Sequence, residues 1–455
     1  MKNNTKNPRR RNLISTALIC IVCILFLSIL LQGNTTLNNK QDISSRLNLD
    51  ISISSSIPYV VQWNTTWGGT GDDSGYDIAV DSFDNIYLAG RTTSFGEGND
   101  DMVLVKYNSL GGQQWNITWG GSNDERAFMA LDSSNNIILV GYTNSFGAGN
   151  QDIVLVKYNS LGEEQWNTTW GGSNDEFSSS IVLDSSDNII LAGHTNNTGD
   201  GNSDIVLVKY NNLGEHQWNT TWGGSSGEGA YSIALDSSEN IYITGFTKTF
   251  GAGSLDMVLI KYNNLGKQQW NTTWGGSGVD YGSGISLDSS NNIYLVGVTN
   301  SFGAGSSDIV LVKYNSLGEQ LWNTTWGGSN SDGTWDGIVL DSSDNILLAG
   351  HSIIYGTGHY DIVLVKYNNL GEQQWNTTWG GSGDDYGEAI AFDSSENIYI
   401  MGYTRSFGAG NDDIVLIKYQ KSSPENGSDL PPNGIPGYPL MFLCLFGLVG
   451  ALIIL

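Results

Sequence analysis

Short apolar runs alternate with clusters of glycine, serine, asparagine and aspartate along most of this chain. In the segment 333–381 there are four such runs, and none of them reaches the length of a helix. β-Branched, leucine and aromatic residues fill them, which favours strands. We therefore predict four strands here: Gly337–Leu340, Asn345–Gly350, Asp361–Tyr367 and Gln374–Trp379.

This four-run pattern recurs seven times, and each copy includes the motif Trp-Asn-Thr-Thr-Trp-Gly-Gly, with Ile117 in place of the first threonine once. Successive motifs are 51 to 53 residues apart. Four strands in about 50 residues are typical of a propeller blade, whereas an immunoglobulin-like unit would need about 100 residues. The leading tryptophans are Trp63, Trp115, Trp166, Trp218, Trp270, Trp322 and Trp375.

The points at which the repeat begins and ends indicate a closed ring. The chain enters the repeat at a fourth strand, Val60–Trp67, and leaves it after a third strand, Asp413–Tyr419. A linear array would leave an orphan strand and an incomplete unit, both with exposed edges. We predict an all-β fold: a seven-bladed β-propeller of four-stranded antiparallel blades, in which the N-terminal strand closes the last blade.

The repeat also resembles a known family. It reads Asp-Ile-Val-Leu-Val-Lys-Tyr-Asn, Leu-Gly, Trp, Gly-Gly, Ile-Ala-Leu-Asp-Ser-Ser and Asn-Ile-Tyr-Leu-Ala-Gly in order, which resembles the seven-bladed β-propeller repeat family written SBBP. The resemblance covers residues 59–420. It implies a secreted or surface propeller, and it carries no common catalytic residues to this chain.

The two ends of the chain differ from the repeats. Basic residues precede an uncharged apolar stretch of a length that can span a membrane, and this order places its start in the cytoplasm. The C-terminal tail opens with Pro-Gly-Tyr-Pro, which resembles archaeal sorting signals but lacks their terminal basic cluster, so a plain tail anchor stays open. We predict a basic start (1–12), a signal sequence or membrane anchor (13–31), a polar tether (32–57), the propeller (58–420), a Pro/Ser/Gly/Asn linker (421–435) and an apolar anchor or sorting tail (436–455).

The amino-acid composition limits the classes of partner and the cross-links that we expect for the propeller. The net charge of −26 disfavours nucleic acid and anionic membrane surfaces as partners of the propeller. All three cysteines lie in the apolar end segments, so disulfides play no part in the predicted propeller. All seven prolines lie outside the repeats, as expected for a region dominated by sheet.

Every repeat contains an Asn-x-Ser/Thr sequon on its fourth strand. If this strand is outermost, alternation turns the asparagine to solvent, where it can accept a glycan. The alternative is that asparagine and threonine simply suit an outer strand. The predicted glycosylation sites are Asn64, Asn116, Asn167, Asn219, Asn271, Asn323 and Asn376.

Acidic, glycine-rich loops precede the first and third strands, and in a four-stranded meander both sets lie at the same end of the ring. Carboxylates with backbone carbonyls are calcium ligands, so calcium is a candidate cofactor, but no twelve-residue calcium loop is present. Solvated turns are the alternative. The candidate metal ligands are Asp72, Asp73, Asp100, Asp101, Asp384, Asp385, Asp412 and Asp413.

Two further features are predicted to be structural. An aspartate opens the turn after each first strand, where its side chain suits turn capping. A lysine recurs in each apolar third strand, as at Lys209, and we expect it to form an ion pair with a carboxylate, because a buried charge needs a partner.

A special site is expected where the repeat is broken, because sevenfold features mostly report the scaffold. The sixth repeat departs most, with an unusual tryptophan and an altered loop, although drift in a duplicated array is the alternative. Aromatic and histidine side chains there can stack on a sugar or pack on a partner. The candidate ligand residues are Trp335, His351, Tyr355, His359 and Tyr360.

We therefore predict an extracellular, membrane-tethered propeller at the cell surface that binds or scaffolds a glycan or protein partner, in adhesion or envelope organisation. A ligand-free coat or spacer protein is an alternative. A glycan-cleaving enzyme would need convergent carboxylates or a metal cluster, and the acids repeat evenly, so we predict no catalytic residues.

Overall fold

The computed structural model describes residues 59–196, 202–353 and 359–422, and within these ranges the chain forms 29 strands in seven antiparallel sheets. Each sheet is one blade, which confirms the predicted all-β, seven-bladed propeller. We number the blades one to seven by their innermost strands. Blade six has its innermost strand in two pieces, and blade seven takes its outermost strand from the start of the described chain.

The innermost strands line the centre of the ring, because each contacts the innermost strands of neighbouring blades. They are β2 (Asp73–Val80), β6 (Glu125–Leu131), β10 (Glu176–Leu183), β14 (Glu228–Leu235), β18 (Asp280–Leu287), β22 with β23 (Asp332–Gly333, Ile338–Leu340) and β27 (Asp385–Phe392). The second strands are β3 (Ile86–Thr92), β7 (Ile137–Thr143), β11 (Ile189–Thr195), β15 (Ile241–Thr247), β19 (Ile293–Thr299), β24 (Ile346–Ser352) and β28 (Ile398–Thr404).

The third and outermost strands complete each blade. The third strands are β4 (Asp101–Tyr107), β8 (Asp152–Tyr158), β12 (Asp204–Tyr210), β16 (Asp256–Tyr262), β20 (Asp308–Tyr314), β25 (Asp361–Tyr367) and β29 (Asp413–Lys421). The outermost strands carry the tryptophan motif and are β1 (Tyr59–Trp67), β5 (Gln113–Trp119), β9 (Glu164–Trp170), β13 (His216–Trp222), β17 (Gln268–Trp274), β21 (Gln320–Trp326) and β26 (Gln373–Trp379).

The ring closes as the phase of the repeat predicts. Strand β1 pairs with β29 in antiparallel register from Tyr59 opposite Lys421 to Trp67 opposite Ile414. Two further hydrogen bonds join blades seven and one: the Asp73 N–H donates to the Asp412 carbonyl at 2.7 Å, and the Ser394 N–H donates to Asp84 Oδ1 at 2.9 Å. The first and last described segments are therefore parts of one closed structure.

Apolar packing between blades forms the core. The second and third strands are buried along nearly their whole length, as in β12, so neighbouring sheets cover them on both faces. Most of the motif tryptophans are only partly buried, unlike the residues of the second and third strands. Only Trp67 and Trp326 fall below a tenth exposed, because the outermost strand has a blade on one side and solvent on the other.

The recurring lysine is structural, as predicted. Lys209 Nζ lies 2.7 Å from Asp184 Oδ2, and the same pair occurs in six blades at 2.6 to 3.8 Å. Burial alone would raise the pKa of Asp184, but hydrogen bonds from Lys209 and Asn188 outweigh it and lower the pKa. In blade one, Lys106 instead donates to the Ser160 carbonyl at 3.2 Å.

The described ranges contain no helix that is both long and apolar enough to cross a membrane. The predicted membrane segments 13–31 and 436–455 and the tether 32–57 lie outside the described residues, as does most of the linker 421–435. Those predictions stay predictions.

Candidate ligand site in the central channel

Seven side chains, one from each innermost strand, line a single cavity of about 380 Å³ in the channel. They occupy the fourth position of the strand, counted from its first acidic residue. The first position is Asp or Glu in every blade, but the fourth position differs strongly between blades. The fourth-position residues are Tyr76, Phe128, Ser179, Tyr231, Ser283, Trp335 and Glu388.

The channel wall is also where the repeat changes length. In five blades a register shift after the third position bulges the innermost strand towards the cavity. Strand β6 of blade two pairs without such a shift and is shorter, and blade six holds one extra residue within the segment 334–337 between β22 and β23. The motif spacings of 51 and 53 residues therefore both arise at the cavity.

Aromatic rings form much of the cavity wall. Trp335 is 43% exposed and stands edge-on to Tyr231, with ring centroids 6.3 Å apart. Tyr76 and Phe128 form a second pair at 6.0 Å. An exposed tryptophan ring on a cavity wall offers a flat apolar surface on which a ligand can stack.

Three carboxyl groups stand on the channel segments of the neighbouring blades six, seven and one: Asp336 and Glu388 line the cavity, and Asp77 lies close enough to Asp336 to act on its charge. We call Asp336, Glu388 and Asp77 the acidic floor. Asp77 accepts the backbone N–H groups of Ile78 and Met129, each at 2.8 Å. Asp336 Oδ1 accepts the Ser232 hydroxyl at 2.8 Å. Glu388 is 5% exposed, and no hydrogen bond or ion pair to its carboxyl group occurs among the described residues.

Burial makes the acidic floor hard to ionise. It raises the pKa of Asp77 to about 7 and that of Glu388 to about 8. Burial, followed by the neighbouring charge of Asp77, raises the pKa of Asp336 well above its ordinary value. The floor therefore carries protons near neutral pH, or it binds a cation that replaces them.

Arginines line the cavity nearer to the loops that precede the first strands, and this end is its mouth. Arg91 donates to both carboxylate oxygens of Asp100 at 2.7 and 2.8 Å. Arg405 pairs with Asp412 at 2.6 Å. Arg126 differs, because its guanidinium lies 5.6 Å from the Tyr76 ring centroid, and its Nε is buried without a hydrogen-bond partner in the described structure.

The predicted ligand residues of blade six do not form one site. Trp335 lines the cavity, whereas His351 packs edge-on against Tyr360 and against Tyr386 of blade seven. Burial lowers the pKa of His351 to about 4, so this ring is neutral at physiological pH. His359 is exposed and does not line the cavity, and Tyr355 lies outside the described residues.

The eight candidate metal ligands divide into two groups. Asp73, Asp101, Asp385 and Asp413 are buried and accept hydrogen bonds from loop N–H groups, such as that of Gly98 to Asp101 at 2.9 Å. Asp100, Asp384 and Asp412 pair with arginines, and Asp72 lies beside Arg405 in a shallow surface pocket. No group of three or more Asp, Glu, His or Cys residues in the described ranges could hold a metal ion. Calcium binding stays a prediction.

All seven sequon asparagines are exposed on the outermost strands, as the predicted alternation requires. Asn116, for example, lies between the half-buried Trp115 and Ile117. The side chains are accessible, and attachment of a glycan stays a prediction.

Sequence reasoning missed the acidic floor and Arg126. Evenly repeated acids drew attention to the loops, whereas the floor acids stand at the fourth position once and at the fifth position twice, where the other blades carry uncharged residues. The unequal motif spacings were an available signal for Arg126 and Asp336, because the irregular spacings fall in blades two and six, but not for Glu388 or Asp77.

Segments 62–96, 269–303 and 374–407 match the sequence profile of the family described as Beta-propeller repeat, SBBP. These segments are SBBP repeats. Each segment begins in an outermost strand and continues through the first two strands of the next blade. The SBBP unit therefore starts with the outermost strand, as the described chain does.

Relatives outside the SBBP profile are distant. An uncharacterized WD repeat-containing protein of Acanthamoeba polyphaga mimivirus is 23% identical over 460 residues, which is 75% of this chain and 31% of that protein. The chain thus spans less than a third of this curated relative.

Two solved structures show distant similarity to this chain. The extracellular domain of a one component system from B. thetaiotaomicron is 14% identical with a TM-score of 0.46, over 78% of this chain and 40% of that one. The Neurospora crassa Pan2 WD40 domain is 8% identical with a TM-score of 0.48, over 83% and 96%. These similarities concern the fold alone.

Proposed function

We propose that this propeller is a binding module that takes a ligand, or the end of one, into the channel cavity. The observation that carries the proposal is the fourth position of the innermost strands. It varies between blades, as the second and fifth positions of these strands also do, whereas the first position is always acidic, and its seven residues converge on one cavity. A cavity of this size that combines aromatic walls with converging charged and polar groups is typical of small-ligand sites.

The ligand class predicted from sequence, a glycan, fits the Trp335 surface, because sugar rings stack on aromatic faces. We further propose that the module is displayed outside the cell and tethered through the terminal apolar segments. The basic start, the apolar stretch and the seven exposed sequons support this placement. Mass spectrometry of the native protein would test it by showing which termini survive and whether the asparagines carry glycans.

The binding test uses the full-length protein on a glycan array and in a thermal-shift screen of small molecules. We expect Trp335→Ala to weaken any channel ligand at least tenfold, since the ring is on the cavity wall and its removal opens no buried core. Phe83→Ala is the matched control, because Phe83 is a 77% exposed aromatic in the turn after β2, at the far end of that strand from the mouth. If no ligand is found whose binding depends on Trp335, the structural coat or spacer alternative is favoured. Turnover of a bound glycan would favour the enzyme.

A further inference from the structure

The channel cavity holds acidic groups that the fold itself does not use. Each innermost strand begins with an acid that anchors loop N–H groups, and each turn aspartate caps its own turn, so those carboxylates have structural partners. Two of the three carboxyl groups of the acidic floor are different, whereas Asp77 accepts two backbone N–H groups. Asp336 accepts one hydroxyl, and Glu388 accepts nothing from the described residues. A carboxylate can accept about four hydrogen bonds, so most of this capacity is unfilled.

The geometry keeps the floor open. The Ser232 hydroxyl reaches Asp336 across blade five because Gly284, the blade-five residue at the matching position, has no side chain; a Cβ there would lie 3.0 Å from Asp336 Oδ1. Ser283, one residue earlier, turns its hydroxyl away and donates to the Trp335 carbonyl at 2.7 Å. Small residues thus leave space beside the acids.

No lysine or arginine forms an ion pair with Asp77, Asp336 or Glu388 within the described structure, and the three do not form a group that could hold a metal ion. An organic ammonium group suits such a site, because it brings one charge and three donors that need not meet a metal's coordination geometry. The aromatic wall adds attraction between the cation and the ring faces. The molecule's net charge of −26 draws cations towards it.

We infer that the channel cavity binds a small molecule that carries a protonated amine at the acidic floor and a hydrogen-bond acceptor at its other end. The position of a residue along its innermost strand indicates how deep it lies below the mouth of the cavity. Arg126 stands at the second position, nearer the mouth, whereas Glu388 stands at the fourth and Asp77 at the fifth. The guanidinium group of Arg126, which lines the cavity and is not fully partnered, meets the acceptor group while the amine reaches the floor. This inference rests on the proposed binding function and specifies its ligand chemistry.

An aminosugar and an aliphatic amino acid both carry this chemistry, and two sets of probes distinguish them. The first set is glucosamine, N-acetylglucosamine and glucose. The second is 5-aminopentanoate, cadaverine and pentanoate. The measurement is isothermal titration calorimetry on the full-length protein at pH 7.5. In one of the two sets, the amine should bind at least tenfold more tightly than its analogue: glucosamine more tightly than N-acetylglucosamine and glucose, or 5-aminopentanoate more tightly than pentanoate. Loss of the carboxylate in cadaverine should also weaken binding, since Arg126 then lacks its acceptor.

Glu388→Gln and Asp336→Asn remove floor charges with little change of shape, and each should weaken the preferred amine at least tenfold. Glu164→Gln is the matched control. It removes one exposed charge on β9 and installs the residue that β5, β17, β21 and β26 carry at the same position.

The outcomes separate the two proposals. If ligands bind in a Trp335-dependent way but do not discriminate between amine and analogue, or are insensitive to Glu388→Gln, the amine inference is wrong and the binding function stands. If no probe binds, the amine inference is also overturned. If, in addition, the wider screen finds no channel ligand, both proposals fail.

Discussion

Replacing Glu388 with glutamine should make the propeller more stable, and the gain should grow with pH. Glu388 is 95% buried, its charge acts on Tyr76, Tyr281 and Tyr403, and no cation is paired with it in the described structure. Burial raises its pKa from 4.5 to about 8. Between these values the unfolded chain releases a proton that the native state retains, so native stability falls as pH rises and levels off above about pH 8.

The magnitude follows from the same pKa values. A rise from 4.5 to about 8, at roughly 1.4 kcal/mol for each pH unit, corresponds to about 5 kcal/mol of lost stability at pH 9. Glutamine keeps the shape and has no proton to lose. In a domain this large 1 kcal/mol moves Tm by roughly 1–2 °C, so the variant should gain about 5–10 °C over the parent between pH 5 and pH 9.

The assay is thermal unfolding of the parent, Glu388→Gln and Glu164→Gln at intervals from pH 5 to pH 9. The neighbouring tyrosines do not titrate in this range, since burial raises the pKa of Tyr281 to about 12 and raises those of Tyr76 and Tyr403 as well. Glu164→Gln controls for the loss of one charge. A Tm difference for Glu388→Gln that stays constant across the range would refute the reasoning, because it would mean that Glu388 is not desolvated.

Three further predictions concern the scaffold. Tyr59→Ala should lower the unfolding free energy of the whole propeller by about 3 kcal/mol while Val60→Ala changes little, because Tyr59 is 3% and Val60 53% exposed on the closing strand; equal effects in denaturant melts would contradict ring closure. Gly223→Ala should cost about 2 kcal/mol and Gly227→Ala almost nothing, since a Cβ would meet a carboxylate oxygen at 1.6 Å in the first case and nothing nearer than 3.8 Å in the second. Asp184→Asn should lower the unfolding free energy by roughly 2–3 kcal/mol at pH 7, because it leaves a half-buried lysine without its carboxylate. The difference from the parent should shrink as pH falls below 3.8, the ordinary aspartate pKa, because a carboxyl group with a lowered native pKa stabilises the fold only while it is ionised. A pH-independent difference would rule out the ion pair.

The fold could be predicted almost completely from sequence, because every blade repeats the same information. A strand that is ambiguous in one repeat can be assigned from the other six. Because the repeats begin with a fourth strand at Val60 and end with a third strand at Asp413, the sequence also determines which strands pair to close the ring. The strand boundaries agree to within one or two residues, as for Asp361–Tyr367, except in blade six, where the segment 334–337 interrupts the innermost strand.

The candidate site could be predicted only in part. Trp335 was found because tryptophan is rare outside the motif, and it does line the cavity. His351 was grouped with it by proximity in sequence, yet its ring turns towards Tyr386 of the next blade, because neighbouring strands of one blade can face different neighbours. Glu388 gave no signal in its own repeat, since a single glutamate on a short strand looks like a solvated residue.

Local pattern was enough to establish strand identity, blade count, closure and the outward-facing asparagines, since alternation and period depend only on neighbours along the chain. The convergence of Asp77, Asp336 and Glu388 was not accessible in this way. These residues come from repeats up to 311 positions apart, and the closed ring brings blades six, seven and one side by side. The floor's elevated pKa values likewise follow from enclosure on every side by other blades, which no single repeat can encode.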